Sequence, residues 1–366
     1  MRAASSGEGT VVIFGGAGFI GSNVADHYLQ EGRTVRVFDN VSRHGVEKNL
    51  RWLRERHGER LRIDIADTRD LFAVRRAVRE ASEVFHFAAQ VAVTHSLQSP
   101  LHDFDVNARG TLHVLEALRE METPAQLVFT STNKVYGGLP GLELAVRGQR
   151  YAPMDERTLA HGISETCPLD FESPYGCSKG AADQYVLDYA RTFGLPTVVF
   201  RMSCIYGPRQ FGTEDQGWVA HFLLRALGGE PLTLYGDGMQ VRDILFVEDL
   251  VRAFRLAHQA MPRIQGRAFN IGGGPGQTVS LLELLALIQR RTGRAPRVGF
   301  EDWRSGDQRY YVSDTRAFMR ATGWMPRVGV EEGMARLGGW LEELRGGRTR
   351  PVMGRGETLE AVDSQP

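Results

Sequence analysis

The sequence predicts a doubly wound α/β fold, a parallel sheet flanked by helices, with a smaller mixed lobe toward the C-terminus. Two observations predict it. Strand-sized apolar runs at 11–14, 35–38, 61–65, 84–87, 127–130 and 197–200 alternate with helix-like stretches, which is the rhythm of βαβ units. The runs are continuous rather than interleaved with polar residues, as strands covered on both faces require.

Taken in order, the elements divide the chain. Residues 1–9 read as a flexible leader and 10–202 as the main sheet domain. Two helices within it announce their starts, because Ser99-Pro100 and Ser173-Pro174 each set a capping oxygen before a proline. Past residue 202 glycine and proline clusters break the pattern, and 203–239 with 273–345 are expected to form the second lobe. The strand-like 244–247 and 268–271 lie in a segment, 240–272, that is expected to return to the sheet. Residues 346–366 are polar and aperiodic, the composition of a disordered tail.

Composition narrows the function. The 44 Lys and Arg balance the 44 Asp and Glu, so no global field draws nucleic acid or an anionic membrane. No apolar run approaches the roughly 20 residues that span a bilayer, and residues 1–10 lack a signal-peptide core. A cytoplasmic protein is expected. The three cysteines, Cys167, Cys177 and Cys204, show no CxxC spacing, so neither a disulfide framework nor a metal site is expected.

A glycine turn, Gly15-Gly16-Ala17-Gly18-Phe19-Ile20-Gly21, follows the first strand and opens a helix at 19–30. Gly15 and Gly18 let backbone amides reach a pyrophosphate, Gly21 lets the helix pack on the sheet, and Phe19 and Ile20 sit at the helix N-terminus with its partial positive charge. Such a turn alone is a weak signal. Asp39 strengthens it, since it ends the second strand about twenty residues on, where a carboxylate accepts from ribose hydroxyls and repels a 2′-phosphate. Together they predict a Rossmann-type domain that binds NAD rather than NADP, with Asn40 beside Asp39 and Arg43 nearby. Asp64-Ile65 and Phe87-Ala88-Ala89 close the third and fourth strands, where loops cover adenine and ribose; spacing alone equally admits strand ends that merely turn.

Tyr175 and Lys179 are four apart on the helix that begins near Ser173, hence on one face. An ammonium beside a phenol, together with the positive nicotinamide ring, favours the phenolate, so with the cofactor in place the tyrosine pKa is expected to fall from about 10 toward neutrality. A phenolate there can take a proton from a substrate hydroxyl. Thr132 leaves the fifth strand at the carboxyl edge of the sheet, where ligands bind, and can hydrogen-bond the reacting hydroxyl. Each feature alone is common; their order and spacing together are not.

This set resembles the extended short-chain dehydrogenases, the NAD-dependent epimerase/dehydratase family of nucleotide-sugar enzymes, over roughly 11–344. The resemblance implies a catalytic Thr132, Tyr175 and Lys179, with Lys179 also holding the nicotinamide ribose. It implies a homodimer or dimer of dimers, with helices near 99–120 and 173–193 pairing across the interface. In the dehydratase branch an Asp and a Glu follow the catalytic threonine; here Asn133 and Lys134 stand there, poor substitutes for an acid and base that eliminate water.

Longer runs, 38–43, 49–53, 131–137, 173–185, 209–211 and 215–218, look like the CDP-paratose 2-epimerase branch. That likeness implies inversion of C2 of a CDP-(deoxy)hexose through a transient keto sugar, with NAD recycled. A 4-epimerase of another nucleotide sugar is the alternative, a 4,6-dehydratase or a non-catalytic NAD-binding regulator less so. Asn133, Lys134, Arg209, Arg242 and Arg309 are expected to touch the substrate, the arginines through its diphosphate. Cys204 departs from the asparagine or serine usual at its place, and the long 138–172 connection is expected to shape the sugar pocket. The histidines His86, His95 and His221 are assigned no role.

Overall fold

Seven parallel strands form the central sheet of the computed structural model, which describes residues 9–294, 296–304 and 306–346. Leader residues 1–8 and the expected tail beyond 346 lie outside the described residues. In chain order the first part comprises β1 (Thr10–Phe14), α1 (Phe19–Gln30), β2 (Val35–Asp39), α2 (Val46–His57), β3 (Leu61–Ile65), α3 (Leu71–Val78), β4 (Ala81–His86), α4 (Val93–Gln98), α5 (Pro100–Phe104), α6 (Gly110–Arg119) and β5 (Gln126–Thr132). A hairpin, β6 (Leu144–Arg147) and β7 (Arg150–Pro153), then α7 (Glu156–His161), α8 (Ser173–Phe193) and β8 (Thr197–Met202) follow.

The remainder is β9 (Cys204–Tyr206), α9 (Trp218–Gly228), β10 (Leu232–Tyr235), β11 (Val241–Phe246), α10 (Val247–Ile264), β12 (Arg267–Ile271), β13 (Thr278–Ser280), α11 (Leu281–Thr292), β14 (Val298–Glu301), β15 (Tyr310–Tyr311), α12 (Arg316–Thr322) and α13 (Val330–Arg345). The main sheet runs β12-β8-β5-β4-β1-β2-β3, so the strand order reverses between β1 and β4. In such sheets a crevice opens there at the carboxyl edge. Both faces are covered, as the unbroken apolar strands require: Val24, Phe254 and Trp324 belong to the core on one side, Val74, Leu115 and Val186 to the core on the other.

Of the two segments expected to rejoin the sheet, β12 does, pairing with β8. The other does not. β11 pairs with β9, β13 and β15 in a separate four-stranded sheet. With the β10–β14 pair and α9, α11 and α13, this small sheet encloses its own core around Phe222, Leu284 and Leu337. The 138–172 connection is likewise more structured than expected. Its hairpin docks on the lobe through a Tyr151 N–H donated to Met239 O at 3.0 Å.

Capping follows the sequence in one of two places. Ser173 Oγ accepts the Gly176 N–H at 3.3 Å, while Ser99 makes no side-chain cap although Pro100 stands in the first turn of α5. α8 is then fixed to the sheet by a buried bidentate pair: Arg201 of β8 donates from Nε and Nη2 to the two Asp183 oxygens, both at 2.9 Å. Nothing of Asp183 is exposed, and Tyr136 Oη takes a third bond from Arg201 at 3.2 Å. Breaking such a pair leaves a buried cation without its partner. Asp183→Ala is therefore expected to lower unfolding free energy by about 3–5 kcal/mol, measured by urea denaturation; a loss under about 1 kcal/mol, the range of exposed pairs, would show that the pair does not hold α8.

Candidate active site

The carboxyl-edge crevice is a cleft of ≈ 580 Å³ whose walls come from the glycine turn, the ends of β4 and β5, α8 and the small lobe. Its floor begins at the turn after β1. Gly15 has φ +78°, and a side chain there would press on the Ala88 amide, with Cβ 2.6 Å from its nitrogen. At Gly21 a Cβ would collide with the Gly15 carbonyl. Only glycine lets the turn fold this tightly under the N-terminus of α1, whose amides then face the cleft. Asp39, at the end of β2, ties the turn down by accepting the Ala17 N–H at 3.0 Å and the Val41 N–H at 2.8 Å. Burial pushes its carboxyl up, opposed by those amides and by Arg43.

Further along the sheet edge, β5 delivers Thr132 and α8 delivers Tyr175 and Lys179, all lining the cleft. Lys179 Nζ donates to Thr130 O at 2.7 Å and lies 4.4 Å from the centre of the Phe129 ring. Burial lowers its ammonium to about 8, against the nearby carboxylates of Asp183 and Asp103. The expected depression of the Tyr175 phenol does not occur within the chain. Burial raises it to about 12; a Thr132 hydrogen bond and the Arg43 charge oppose this, while Asp103 adds to it. Desolvation of the phenolate outweighs the favourable neighbours.

Asn133 and Lys134 begin a short 3₁₀ turn after Thr132, whose Oγ accepts the Lys134 N–H at 3.2 Å. The small lobe holds both side chains. Asn133 Nδ2 donates to Gln308 Oε1 at 2.9 Å, and Lys134 Nζ donates to Gly306 O at 2.9 Å and pairs with Asp307 at 3.4 Å. Asp307 also accepts from Arg242 at 2.6 Å, and two cations hold its carboxyl below the usual range despite burial. Burial lowers the Lys134 ammonium, with Asp307 opposing. Cys204 lines the same wall, its Sγ 3.3 Å from Trp218 Nε1.

Most of the sequence-derived site residues meet here: Gly15, Gly18, Phe19, Ile20, Gly21, Phe87, Ala89, Thr132, Asn133, Lys134, Tyr175, Lys179, Arg209 and Arg242 all line the cleft. Asp39 and Ala88 back the turn from outside it. Asn40, Asp64, Ile65 and Arg309 also lie outside the cleft walls. Asp64 stands at the carboxyl end of β3, paired with Arg36 at 2.9 Å, and Ile65 is 61% exposed; Asp67, two residues past the strand, accepts from Asn40 Nδ2 at 2.8 Å. Arg309 lies outside the cleft walls, against Tyr151 and Trp303.

Arg304 is the arginine of that segment that lines the cleft, its guanidinium 3.8 Å from the centre of the Tyr235 ring. Arg209 lines the cleft but stacks on Trp52 at 3.7 Å, and burial lowers it to about 10. No residue of 138–172 lines the cleft, because the hairpin packs behind its wall. Arg43 lines the cleft and bonds Gln216 Oε1 of the lobe. The sequence reading also passed over Ser131, although it lies inside the hydroxyl run of β5. Ser131 Oγ, Asn49 Oδ1, Gln210 Oε1 and Gln240 Oε1 are buried on cleft-lining residues with no protein partner.

Fold and cleft together define a dinucleotide-dependent enzyme with a Ser/Thr, Tyr, Lys constellation at the sheet edge. The chain belongs to the NAD dependent epimerase/dehydratase family, whose model matches residues 11–272. It is 42% identical over 342 residues to the CDP-paratose 2-epimerase of Salmonella typhi, covering 91% of this chain and 99% of that one. Among solved structures it resembles the UDP-glucose 4-epimerase of Thermus thermophilus in complex with NAD (TM-score 0.75, 33% identity, 91% and 99% covered). It also resembles the UDP-glucose 4-epimerase of Thermotoga maritima with UDP-glucose (TM-score 0.78, 31% identity, 92% and 99% covered).

It is thus an NAD-dependent enzyme of the epimerase type. The cleft fits that cofactor: the Gly15 and Gly21 cradle has no room for side chains, α1 ends on it, and a carboxylate rather than an arginine closes β2. In the NAD-free protein Tyr175 is expected to stay un-ionised through pH 10, so the phenolate absorbance of wild type and Tyr175→Phe should rise equally up to that pH. A signal specific to Tyr175 below pH 9 would contradict the balance of burial and charge described here.

Proposed function

We propose that this enzyme is a nucleotide-sugar epimerase that inverts C2 of a CDP-activated (deoxy)hexose through a transient keto sugar, using Thr132, Tyr175 and Lys179. The observation that carries the reading is the Asn133–Lys134 pair. Where elimination of water needs an acid and a base, this site has a carboxamide bonded to Gln308 and an ammonium bonded to Asp307. Neither can serve as a carboxylic acid, and Asn133 cannot be a base. Oxidation and return at one carbon needs no such pair. The 42% identity to a CDP-paratose 2-epimerase supports the choice of carbon and nucleotide.

NAD, when bound, supplies a reversible hydride acceptor for the sugar carbon. Tyr175 takes the proton of the C2 hydroxyl as its phenolate and returns it to the same oxygen once the opposite face of the sugar is presented. Thr132 hydrogen-bonds that oxygen. Lys179 sits one turn from Tyr175 and adds positive charge beside the nicotinamide ribose. Arg242 and Arg304 serve the diphosphate, taking the place given in sequence to Arg309. Arg209 acts on the cleft wall through Trp52. Asp39 and Asp67 serve the adenosine end. The enzyme works as a cytoplasmic dimer or dimer of dimers through α5 and α8, whose Leu101, Phe104, Tyr185 and Phe193 leave apolar surface in water.

The reading is tested by incubating pure protein with CDP-, GDP- and UDP-hexoses in deuterated water and following product stereochemistry and mass by NMR and mass spectrometry, with molar mass by light scattering. Inversion at C2 of a CDP sugar without loss of 18 mass units (one water) is expected, from a particle of at least two chains. Inversion at C4 would show that the same triad acts on a sugar turned in the cleft. Loss of water would overturn the argument from Asn133 and Lys134.

A further inference from the structure

We infer that Gln308 is a positioning residue for the reaction: by fixing which way the Asn133 carboxamide faces, it sets the direction in which Thr132 offers its hydroxyl proton. This rests on the proposed epimerase role of Thr132 and Tyr175. The inference follows from donor and acceptor accounting. Gln308 is wholly buried. Its Nε2 donates to Gly137 O at 2.6 Å, and since a carbonyl only accepts, the amide nitrogen must face it. Gln308 Oε1 is thereby turned to Asn133, where it too can only accept, so Asn133 must present Nδ2, at 2.9 Å. That leaves Asn133 Oδ1 facing Thr132 Oγ, 3.4 Å away.

Thr132 has one proton and two lone pairs, and one lone pair already takes the Lys134 N–H. With an oxygen facing it from Asn133, the hydroxyl proton divides between two resting acceptors, that oxygen, long for an O–H···O bond, and Tyr175 Oη, and can swing to the sugar oxygen as charge develops there. Release of Asn133 from Gln308 lets its carboxamide turn its nitrogen to Thr132. Both lone pairs of Thr132 are then filled, and its proton is committed to Tyr175 Oη. A hydrogen bond to the phenolate lowers the tyrosine pKa and makes it a weaker base, while the sugar oxygen loses its partner. The charged groups that act on Tyr175, Arg43 and Asp103, with Lys179 one turn away, are untouched by this change.

The experiment compares wild type, Gln308→Leu, Asn133→Ala and the double variant, all loaded with NAD, on the nucleotide sugar that wild type turns over. Gln308→Leu is expected to lower kcat roughly tenfold, the worth of about one hydrogen bond, with KM unchanged and the Tyr175 limb of the pH profile moved to lower pH. In the Asn133→Ala background the same substitution is expected to change neither kcat nor the limb, because nothing is left to orient. Equal effects in both backgrounds, or an unmoved pH limb, would overturn the inference. A fall in Tm with kcat and the pH limb as in wild type would overturn it too, since Gln308 would then only pack. The crystal structure of Gln308→Leu gives a readout that needs no substrate: Asn133 is expected to leave its place, and an unchanged Asn133 would contradict the inference. If wild type turns over no nucleotide sugar, the epimerase reading fails, and the crystal structure still decides the role of Gln308.

Discussion

The Arg201–Asp183 pair joins β8, the strand beside β5, to the helix that carries Tyr175 and Lys179. Two charges so far from water are costly unless each is fully met, and here both Asp183 oxygens and three guanidinium nitrogens are engaged. Asp183 lies one turn after Lys179, and its charge also favours the Lys179 ammonium. The geometry of the catalytic pair relative to β5 therefore depends on an ion pair outside the cleft. The third bond of Arg201, to Tyr136, extends the same lock to the turn that holds Asn133 and Lys134.

The cleft divides its work between rigid and adaptable parts. The cofactor side is backbone: a glycine turn, a helix end and a carboxylate whose oxygens are bonded to amides. The opposite wall is side chains from two lobes that meet across the cleft. Asn49 donates to both Ala17 O of the glycine turn and Arg209 O of the lobe, at 3.1 and 3.2 Å. Asn23 reaches Pro208 O at 3.1 Å. The glycine turn and the small lobe are thus joined through two asparagines on α1 and α2, and a shift of either is felt by the other.

Legibility in the sequence followed locality. The glycine turn, Asp39, Thr132, Tyr175 and Lys179 each sit within a few residues of a strong strand or helix signal, so their place at the sheet edge could be read directly. Asp67, two residues past β3, was passed over because apolar residues fix the face of a strand but not where it ends. Arg304 and Arg309 could not be told apart because 302–309 has no periodicity to say which side chain faces inward. The 144–153 hairpin was invisible for a similar reason: its strands are four residues each, too short to show alternation. The phenol of Tyr175 defied its neighbour because burial, which spacing does not reveal, outweighs charge.

The central claim is that one carbon of the sugar is oxidised and then reduced by the same hydride, with no proton removed from carbon. A nucleotide sugar carrying deuterium at C2, turned over in ordinary water, tests this directly. The account predicts an inverted product that keeps its C2 deuterium in full, read by mass spectrometry and NMR. Exchange of that deuterium for solvent hydrogen during inversion would contradict it, because inversion would then proceed by deprotonation of the carbon and the Tyr175 site would have another role.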